Sequence, residues 1–518
     1  MSQTDFDLLD RVVRRALVLA VRMIDEANHR DDVLEGDPKV GGHPAACASC
    51  AHIFGALQLV SAGPFDTFAV KPHASPMNHA FNFLLGTFRE PGTKRWLSYA
   101  ESQRVMSRLR QYSFDGGPVF QSYHAESDPD GWGYFPTGSV GIPPVVSMYT
   151  ALGYRYATHH GHEVPQGAHH WSLIGDSEFR EGSLLEAMPE AAERELSNVT
   201  WIVDYNRQNL DGARQPNDRG LGGTDADRIF RTAEANGWHA IHVRHGGERL
   251  AAFAKSGGDR LRDVLENGFS DFEFQTLLFK RDGAITRERL IAKDATLGAF
   301  LKAWDDAGVQ RLFANLGGHD LRELTKTFEL CRQSNKPTLV VAHTIKGWHL
   351  SNYAAPGNHS ALPPREEVVE LLTAEGLSEA EPFQRFAEGS PEATFLATRG
   401  QSWREGIESQ WALKERNLAR FTDAVKQAGE LPKALGIDLK FTPQAHSQYV
   451  WGQAIGKVVR IGTNATSGGT VSDAERPFVP AADMVVTMAP DVGTSTNMNP
   501  AMDEKIYGPK PSEDLEAS

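Results

Sequence analysis

Short apolar runs alternate with amphipathic stretches through most of the first 345 residues. Three of these runs are candidate strands: HHWSLI (169–174), VTWIVDY (199–205) and TLVVAHT (338–344). Strands that alternate with helical stretches form parallel sheets covered by helices. The pattern predicts an α/β fold with a doubly wound parallel sheet, in a first domain over residues 1–345.

The pattern changes in the rest of the chain. Residues 346–440 are rich in charged helix formers punctuated by prolines, which predicts a loop followed by a helical linker. Residues 441–518 contain a helical stretch and the strand-like run MVVTMAPD (484–491). They predict the start of a second α/β domain. About eighty residues hold too few strand-helix units for a closed core, so we expect this domain to be incomplete.

Length and composition describe an ordinary soluble protein. The chain has 518 residues, of which 40% are hydrophobic and 23% charged, which disfavours membrane-embedded and disordered proteins. The formal net charge is -14 and no cluster of Lys and Arg stands out, which argues against a nucleic-acid partner. The N-terminus carries Asp5, Asp7 and Asp10 before a short apolar run, unlike a targeting peptide. It predicts a long amphipathic helix in a cytoplasmic protein without a membrane partner.

The three cysteines are Cys47, Cys50 and Cys331, too few for a disulfide framework and consistent with a reducing compartment. Cys47 and Cys50 form a CxxC pair, but no second pair follows at zinc-binding spacing. The alanines around this pair favour a packed helix over a redox or metal site.

Polar residues follow two of the predicted strands. The segment GDSEFREGSLLEAM begins at Gly175, and NRQNLDG begins at Asn206. Because the carboxyl ends of parallel strands meet at one edge of a sheet, we expect Asp176, Asn206 and the backbone carbonyl of Gln208 to lie together. These are hard oxygen ligands, which suit a magnesium ion bridged to a diphosphate. The alternative is that Asp176 caps a helix and Asn206 forms an Asx turn.

The two segments resemble the cofactor signature of the thiamin diphosphate enzymes of the transketolase type, which starts Gly-Asp-Gly and is followed by an Asn. Ser177 stands here in place of the third-position Gly. Within that superfamily the resemblance is closest to the homodimeric-type pyruvate dehydrogenase component, the decarboxylating first enzyme of a 2-oxo acid dehydrogenase complex. The segments that carry it occur in the family's order and read GGHPAACASCA, KPHASPMNHAF, GWGYFPTGSVGIPPV, NLGGHDLREL, AHTIKGWHL and PDVGTSTN.

The resemblance implies a role for each matching residue at the diphosphate end of the cofactor. Asp176, Asn206 and the carbonyl of Gln208 would bind Mg²⁺. Gly175 would start the cofactor signature, and Ser177 and Glu178 would lie against the diphosphate. These roles identify thiamin diphosphate and Mg²⁺ as the expected cofactors.

The resemblance also implies catalytic residues around the thiazolium ring. His43 and His73 match two histidines that line this side, and Lys346 and His359 match a mobile loop that closes over the intermediate. His319, in the segment GGHD, is a further candidate. The reaction develops an oxyanion and needs proton carriers with a pKa near neutral, work for which histidine is the usual side chain. The alternative for each histidine is a turn or packing role.

The segment FPTGSVGIPP is rich in glycine but lacks the lysine of a P-loop and the glycine spacing of a dinucleotide site. We interpret it as a turn whose backbone approaches the cofactor, with Ser139 beside it. A simple strand-to-helix turn is the alternative.

In the resembled family a Glu from the second, pyrimidine-binding domain activates the cofactor, and we expect residues 441–518 to hold only the start of that domain. Three explanations stay open: one subunit of a split enzyme whose second subunit carries the remaining domains, a fragment or interrupted version of a longer single-chain enzyme, or a noncatalytic paralogue used for binding or assembly. We favour the split enzyme, acting on a pyruvate-like 2-oxo acid and a lipoyl-bearing acyltransferase as a dimer or hetero-tetramer. Ketol transfer between sugar phosphates, as in transketolase, is the alternative chemistry.

Overall fold

A computed structural model describes residues 2–30, 42–110, 117–133, 135, 138–209, 212–213, 222–437, 446–488, 493 and 495–502. The chain forms two compact units. The first comprises Met1–Leu152 with Gln166–Glu408, and the second comprises Gly153–Pro165 with Ser409–Ser518. The first unit therefore extends beyond residue 345, where we placed the end of the first domain.

A five-stranded parallel sheet forms the centre of the first unit, with strand order β1-β2-β3-β7-β6. All three strands predicted from the apolar runs are present in it as β2, β3 and β7. The strands span Thr67–Ala69 (β1), His170–Gly175 (β2), Val199–Tyr205 (β3), His239–Val243 (β6) and Thr338–His343 (β7), and a separate two-stranded hairpin pairs Gln208–Asn209 (β4) with Gly212–Ala213 (β5).

Helices cover both faces of this sheet, as a doubly wound fold requires. Trp201 and Val203 of β3 belong to an apolar cluster that includes Leu184. Asp204, the next residue along the strand, points to the opposite face because successive side chains alternate. There it accepts a hydrogen bond from Ser49. The predicted fold class is therefore confirmed.

The predicted N-terminal helix is present as α1, Gln3–Asn28. Ser2 and Asp5 form a capping box at its start, which satisfies N–H groups that have no partner within the helix. Leu9, Val12 and Val13 are fully buried. The amphipathic pattern thus places one face of α1 in the core.

The CxxC pair lies in α2, Pro44–Gly55, and every residue of this helix is buried. Burial raises the pKa of the Cys47 thiol to about 12, so the thiol is uncharged and unreactive at neutral pH. The stretch Pro44–Ser61 is apolar and long enough to cross a membrane, but 89% of it is buried inside the protein, as in the core helix of a soluble protein. The pair therefore packs as part of a core helix.

The remaining α-helices begin with α3, Ser75–Leu85. Those of the first unit and its boundaries span Tyr99–Met106, Ile142–His159, Gly182–Glu193, Asp225–Ala235, Gly247–Phe253, Gly258–Asn267, Asp271–Lys280, Gly283–Lys293, Leu297–Phe300, Asp306–Ala314, Leu321–Gln333, Arg365–Ala374 and Pro391–Ala428.

The second unit is helical in its described residues, with helices Ser447–Ser467, Val479–Asp483 and Asn499–Met502 besides the end of the long helix Pro391–Ala428. The strand predicted for 484–491 is wrong over 484–488, which form a turn and irregular backbone, and 489–491 lie outside the described residues. Val486 and Met488 are 59% and 79% exposed, and the described part of this unit offers no strand with which they could pair. Without a neighbouring strand, the backbone of an apolar run has no partner for the hydrogen bonds of a sheet, so the run does not form a strand.

Candidate active site

Three neighbouring strands end at the same edge of the sheet. Gly175 of β2 pairs with Asp204 of β3, and Tyr205 of β3 pairs with His343 of β7. The segments that follow these strands therefore start side by side, as expected for parallel strands. They carry most of the residues singled out in the sequence, which are Asp176, Ser177 and Glu178 after β2, Asn206 and Gln208 after β3, and Lys346 after β7.

Asp176 and Asn206 lie in contact with the same short segment. Asp176 Oδ2 accepts a hydrogen bond of 2.8 Å from the backbone N–H of Arg207, and Asn206 Oδ1 accepts one of 3.1 Å from the N–H of Gln208. Both side chains are buried, at 2% and 1% exposure. The hydrogen bond from the N–H of Gln208 to Asn206 Oδ1 forms an Asx turn, which is the structural alternative given for Asn206 in the sequence analysis. Carboxylate and amide oxygens accept more than one bond, so these hydrogen bonds are compatible with a cation at the same oxygens.

Glu178 connects this edge to the glycine-rich turn. Its Oε2 accepts a bond of 2.9 Å from the N–H of Gly175, and its Oε1 accepts one of 2.8 Å from the N–H of Gly141. Ser139 is exposed in the same turn, and Ser177 Oγ lies 3.4 Å from Asp176 Oδ1. Both carboxylate oxygens of Glu178 are thus occupied by backbone donors that position the two segments.

A buried ion pair lies beside these segments that sequence reasoning missed. Lys71 Nζ is 2.7 Å from Asp204 Oδ2, with side chains 9% and 0% exposed. Asp204 Oδ1 also accepts hydrogen bonds from Ser49 and Thr344. Burial alone would raise the pKa of Asp204, but Lys71 and the hydroxyl donors lower it below its usual value, so the pair is ionised. The only sequence signal was that Lys71 opens the segment KPHASPMNHAF, which contains His73.

Three histidines from distant parts of the chain form one cluster, His43, His73 and His359. Their ring centroids are 4.5 to 4.7 Å apart, and each ring offers a nitrogen within 4.8 Å of the other two. His43 precedes α2, and its backbone N–H donates to the carbonyl of His73 at 3.1 Å. His359 lies in the short helical turn Asn358–Ser360. The predicted histidines are therefore neighbours, and all three are partly buried.

Lys346 completes this cluster. Its Nζ lies 3.1 Å from His359 Nδ1, and the residue is 2% exposed. Burial and then Lys71 lower the pKa of Lys346 to about 8. Burial together with the neighbouring cations lowers the pKa of His73 and of His359 to about 3. At neutral pH the two imidazoles are therefore uncharged, while Lys346 is mostly protonated.

His319 does not join the three clustered histidines. Its Nε2 accepts a hydrogen bond of 2.8 Å from the N–H of Ile345, and its Nδ1 lies 3.3 Å from His52 Nδ1. The ring is stacked on Trp348 at an interplanar angle of 15°. These contacts brace the backbone directly before Lys346, which is a positioning arrangement.

The sequence is similar to several pyruvate dehydrogenase E1 components. It is 28% identical over 390 residues to that of Escherichia coli K12, covering 70% of this chain and 40% of the relative. It is 26% identical over 447 residues to that of Cupriavidus necator, covering 82% of this chain and 46% of the relative. The chain therefore spans less than half the length of these relatives. No protein-family model matches it.

Solved structures of similar fold are transketolases. The Leishmania mexicana transketolase covers 95% of this chain with a TM-score of 0.53 at 14% identity, and 59% of its own chain is matched. The Campylobacter jejuni transketolase covers 89% of this chain with a TM-score of 0.54 at 16% identity, and 56% of its chain is matched. The chain has a transketolase-like fold, and its sequence is similar to that of the pyruvate dehydrogenase E1 component.

Proposed function

We propose that this chain holds the diphosphate and metal end of thiamin diphosphate in an enzyme that decarboxylates a pyruvate-like 2-oxo acid. The observation that carries the proposal is the placement of the oxygens of Asp176 and Asn206 on adjacent strand ends, with the cluster of His43, His73 and His359 in the same unit. The sequence similarity to pyruvate dehydrogenase E1 components supports a 2-oxo acid over a sugar phosphate.

The residues present fit the cofactor. Asp176, Asn206 and the carbonyl of Gln208 provide one charged and two neutral oxygen donors, the ligand type that Mg²⁺ prefers. Lys71 adds a positive charge close to Gly175. A Cβ atom placed on this glycine would lie 3.5 Å from Lys71 Cε. The same lysine favours the ionised form of Asp204 behind the metal ligands.

Held by Asp176, Asn206 and the carbonyl of Gln208 through its metal ion, thiamin diphosphate would supply a carbon nucleophile for the 2-oxo group and an electron sink for decarboxylation. Lys346 donates to His359 Nδ1, so the imidazole proton resides on Nε2, which can donate to a developing oxyanion. The pKa of His73, about 3, keeps its imidazole neutral at pH 7, so the ring can take part in hydrogen bonds to the reacting group but is a weak base.

The atoms and electrons of the proposed reaction balance when a lipoyl disulfide is the acceptor. The bond between the carboxylate and the 2-oxo carbon breaks, and CO2 leaves. The remaining electron pair reduces the disulfide, so that one sulfur takes the acyl group and the other takes a proton. We propose that a second subunit supplies the activating carboxylate and that a lipoyl-bearing acyltransferase takes the acyl group, in a cytoplasmic dimer or hetero-tetramer.

The test uses the complex purified from its source with Mg²⁺ and thiamin diphosphate. Native mass spectrometry is expected to find this chain joined to a second polypeptide, and the complex is expected to release CO2 from pyruvate. An Asp176→Ala variant is expected to lose this activity, while Asp282→Ala, which removes a helix N-cap elsewhere in the first unit, is the matched control. Ketol transfer without decarboxylation, or a mass that is a multiple of this chain alone, would contradict the proposal.

A further inference from the structure

The loop that follows β3 holds both ends of a second segment, residues 344–354. At the start of that segment, the guanidinium of Arg207 donates to the backbone carbonyl of Thr344 at 2.5 Å. At its end, Gln208 Nε2 donates to the backbone carbonyl of Ala354 at 3.1 Å. Both donor residues are buried, at 2% and 4% exposure. A buried hydrogen bond that loses one partner leaves the other unsatisfied, so these contacts fix the segment to the loop.

Gln275, on the helix Asp271–Lys280, joins these two contacts. Its Nε2 donates to the carbonyl of Ala354 at 3.0 Å, and its Oε1 lies 3.4 Å from Nε of Arg207. The carbonyl only accepts and the guanidinium only donates, so this orientation of the amide is the one that satisfies both groups. The residue is 3% exposed. One buried side chain therefore contacts the loop after β3 and the end of the segment 344–354.

Both residues that Gln275 contacts have a left-handed backbone conformation. Arg207 has a φ angle of 64° and Ala354 has one of 54°. This region is unfavourable for residues with a Cβ atom, and they remain in it only where the surrounding contacts hold them. Strained residues of this kind cluster at functional sites. The contacts of Gln275 thus stabilise two backbone turns that are unfavourable by themselves.

Ala354 is also bonded to Lys346. Its backbone N–H donates to the carbonyl of Lys346 at 2.8 Å, and Asn358 Nδ2 lies 3.3 Å from the same carbonyl oxygen. The side chain of Lys346 in turn contacts His359. Two hydrogen bonds therefore connect Gln275 to the backbone of Lys346 through one intervening residue. Because Ala354 is fully buried, a change in its position displaces the lysine as well.

We propose that Gln275 is a positioning residue for Lys346 in the proposed decarboxylation. It fixes Ala354, and through Ala354 it keeps the ammonium group of Lys346 against His359. The inference rests on the proposed function, in which this pair donates a hydrogen bond to a developing oxyanion. Proton donors act over hydrogen-bond distances, and a misplacement of about 1 Å can reduce a rate by about 100-fold. The amide of Gln275 thus supports catalysis from outside the site.

Hydrogen exchange of the purified complex, measured by mass spectrometry, tests the contact without reference to catalysis. In Gln275→Met, the amides of the segment 344–354 are expected to exchange roughly 10-fold faster, the effect of losing a buried hydrogen bond. The amides of β3 are expected to exchange as before. Gln333→Met is the matched control, because Gln333 is an exposed residue at the end of a helix. Unchanged exchange of the segment, or an equal rise in β3, overturns the inference.

Kinetics of the same complex separate positioning from a general effect on folding. Gln275→Met is expected to lower kcat for pyruvate by roughly 10- to 100-fold while KM stays the same, because the contact acts in the transition state. The affinity for thiamin diphosphate with Mg²⁺ is expected to be unchanged. Gln275→Glu keeps an acceptor for Arg207 but lacks the donor for Ala354, and it should show the same loss. Circular dichroism establishes that at least one variant is folded. An unchanged kcat in the folded variant overturns the inference.

A second substitution tests whether the effect passes through Ala354. Glycine adopts the left-handed conformation without strain, so Ala354→Gly combined with Gln275→Met is expected to recover part of the protection from exchange. A combined variant that exchanges as fast as Gln275→Met contradicts the role of Ala354. A complex without any decarboxylation contradicts the proposed function. An active complex in which Gln275→Met changes neither exchange nor kcat contradicts this inference alone.

Discussion

Lys346 Nζ lies 3.1 Å from Nδ1 of His359, in contact with a cluster completed by His43 and His73. A protonated ammonium only donates hydrogen bonds, so it makes Nδ1 the accepting nitrogen and leaves the proton of His359 on Nε2. Burial lowers the pKa of Lys346 to about 8, so the positive charge is present at neutral pH and is lost in mildly alkaline solution. The protonation state of Lys346 therefore determines whether a positive charge lies next to His359.

The first prediction is an alkaline limit on the proposed decarboxylation. As the pH rises through about 8, Lys346 loses its charge, so kcat/KM of the complex is expected to fall above that pH. The Lys346→Arg variant keeps its positive charge to higher pH, so its kcat/KM is expected to fall only at a higher pH. Lys346→Met is expected to lose roughly 10²-fold in kcat/KM and to show no such limb. An arginine variant with the wild-type profile would show that another group titrates.

The second prediction is that Lys346 destabilises the fold at neutral pH. Its pKa of about 8 lies below the ordinary value of 10.5, so the unfolded chain binds this proton more tightly. The resulting cost is complete below pH 8 and disappears as the pH rises toward 10.5. Lys346→Met should therefore increase the free energy of unfolding at pH 7 by roughly 1–3 kcal/mol. Urea denaturation at pH 7 and pH 10 measures this gain, which should be smaller at the higher pH.

The third prediction concerns the ion pair of Lys71 and Asp204, which are 9% and 0% exposed. Lys71→Met leaves a buried carboxylate without its cation and should lower the free energy of unfolding by about 3–5 kcal/mol. Lys71→Met combined with Asp204→Asn removes both charges and should recover much of that loss. A double-mutant cycle by chemical denaturation measures the coupling, and additive effects would contradict it.

The fourth prediction concerns Glu178, whose two oxygens accept from the N–H groups of Gly141 and Gly175. A glutamine has a single acceptor oxygen, so Glu178→Gln leaves one of these donors without a partner. The free energy of unfolding should fall by about 1–3 kcal/mol, as seen by thermal denaturation. Glu186→Gln is the control, because Glu186 is an exposed residue of the helix Gly182–Glu193; a similar loss there would contradict the account.

The sheet could be predicted from the sequence because its strands combine two signals. Val199–Tyr205 is rich in β-branched and aromatic residues and is bounded by polar ones, and it forms β3 with the same bounds. The neighbourhood of Asp176 and Asn206 then followed from the geometry of parallel strands. By contrast, the run from Met484 has strand composition but no partner strand in the described part of its unit, and composition alone carries no information on pairing.

Contacts between distant segments could not be predicted. Lys71 and Asp204 are far apart in the chain. Because lysines are mostly exposed, burial of Lys71 could not be expected without knowing that Asp204 lies beside it. His79 and Asp130 likewise form a buried ion pair across 51 positions of the chain, which no local pattern indicates. His319 was a catalytic candidate by its segment alone, whereas its contacts with Ile345 and His52 show a bracing position.

The most direct test of the central claim is calorimetric binding of thiamin diphosphate to the complex, with Mg²⁺ and with EDTA. We predict binding that requires Mg²⁺ and that is lost in Asp176→Ala and weakened in Asn206→Ala, while Asp282→Ala binds as the unmodified protein does. Binding that persists in EDTA, or that is unchanged in Asp176→Ala, would contradict the assignment of this edge of the sheet as the metal and diphosphate site.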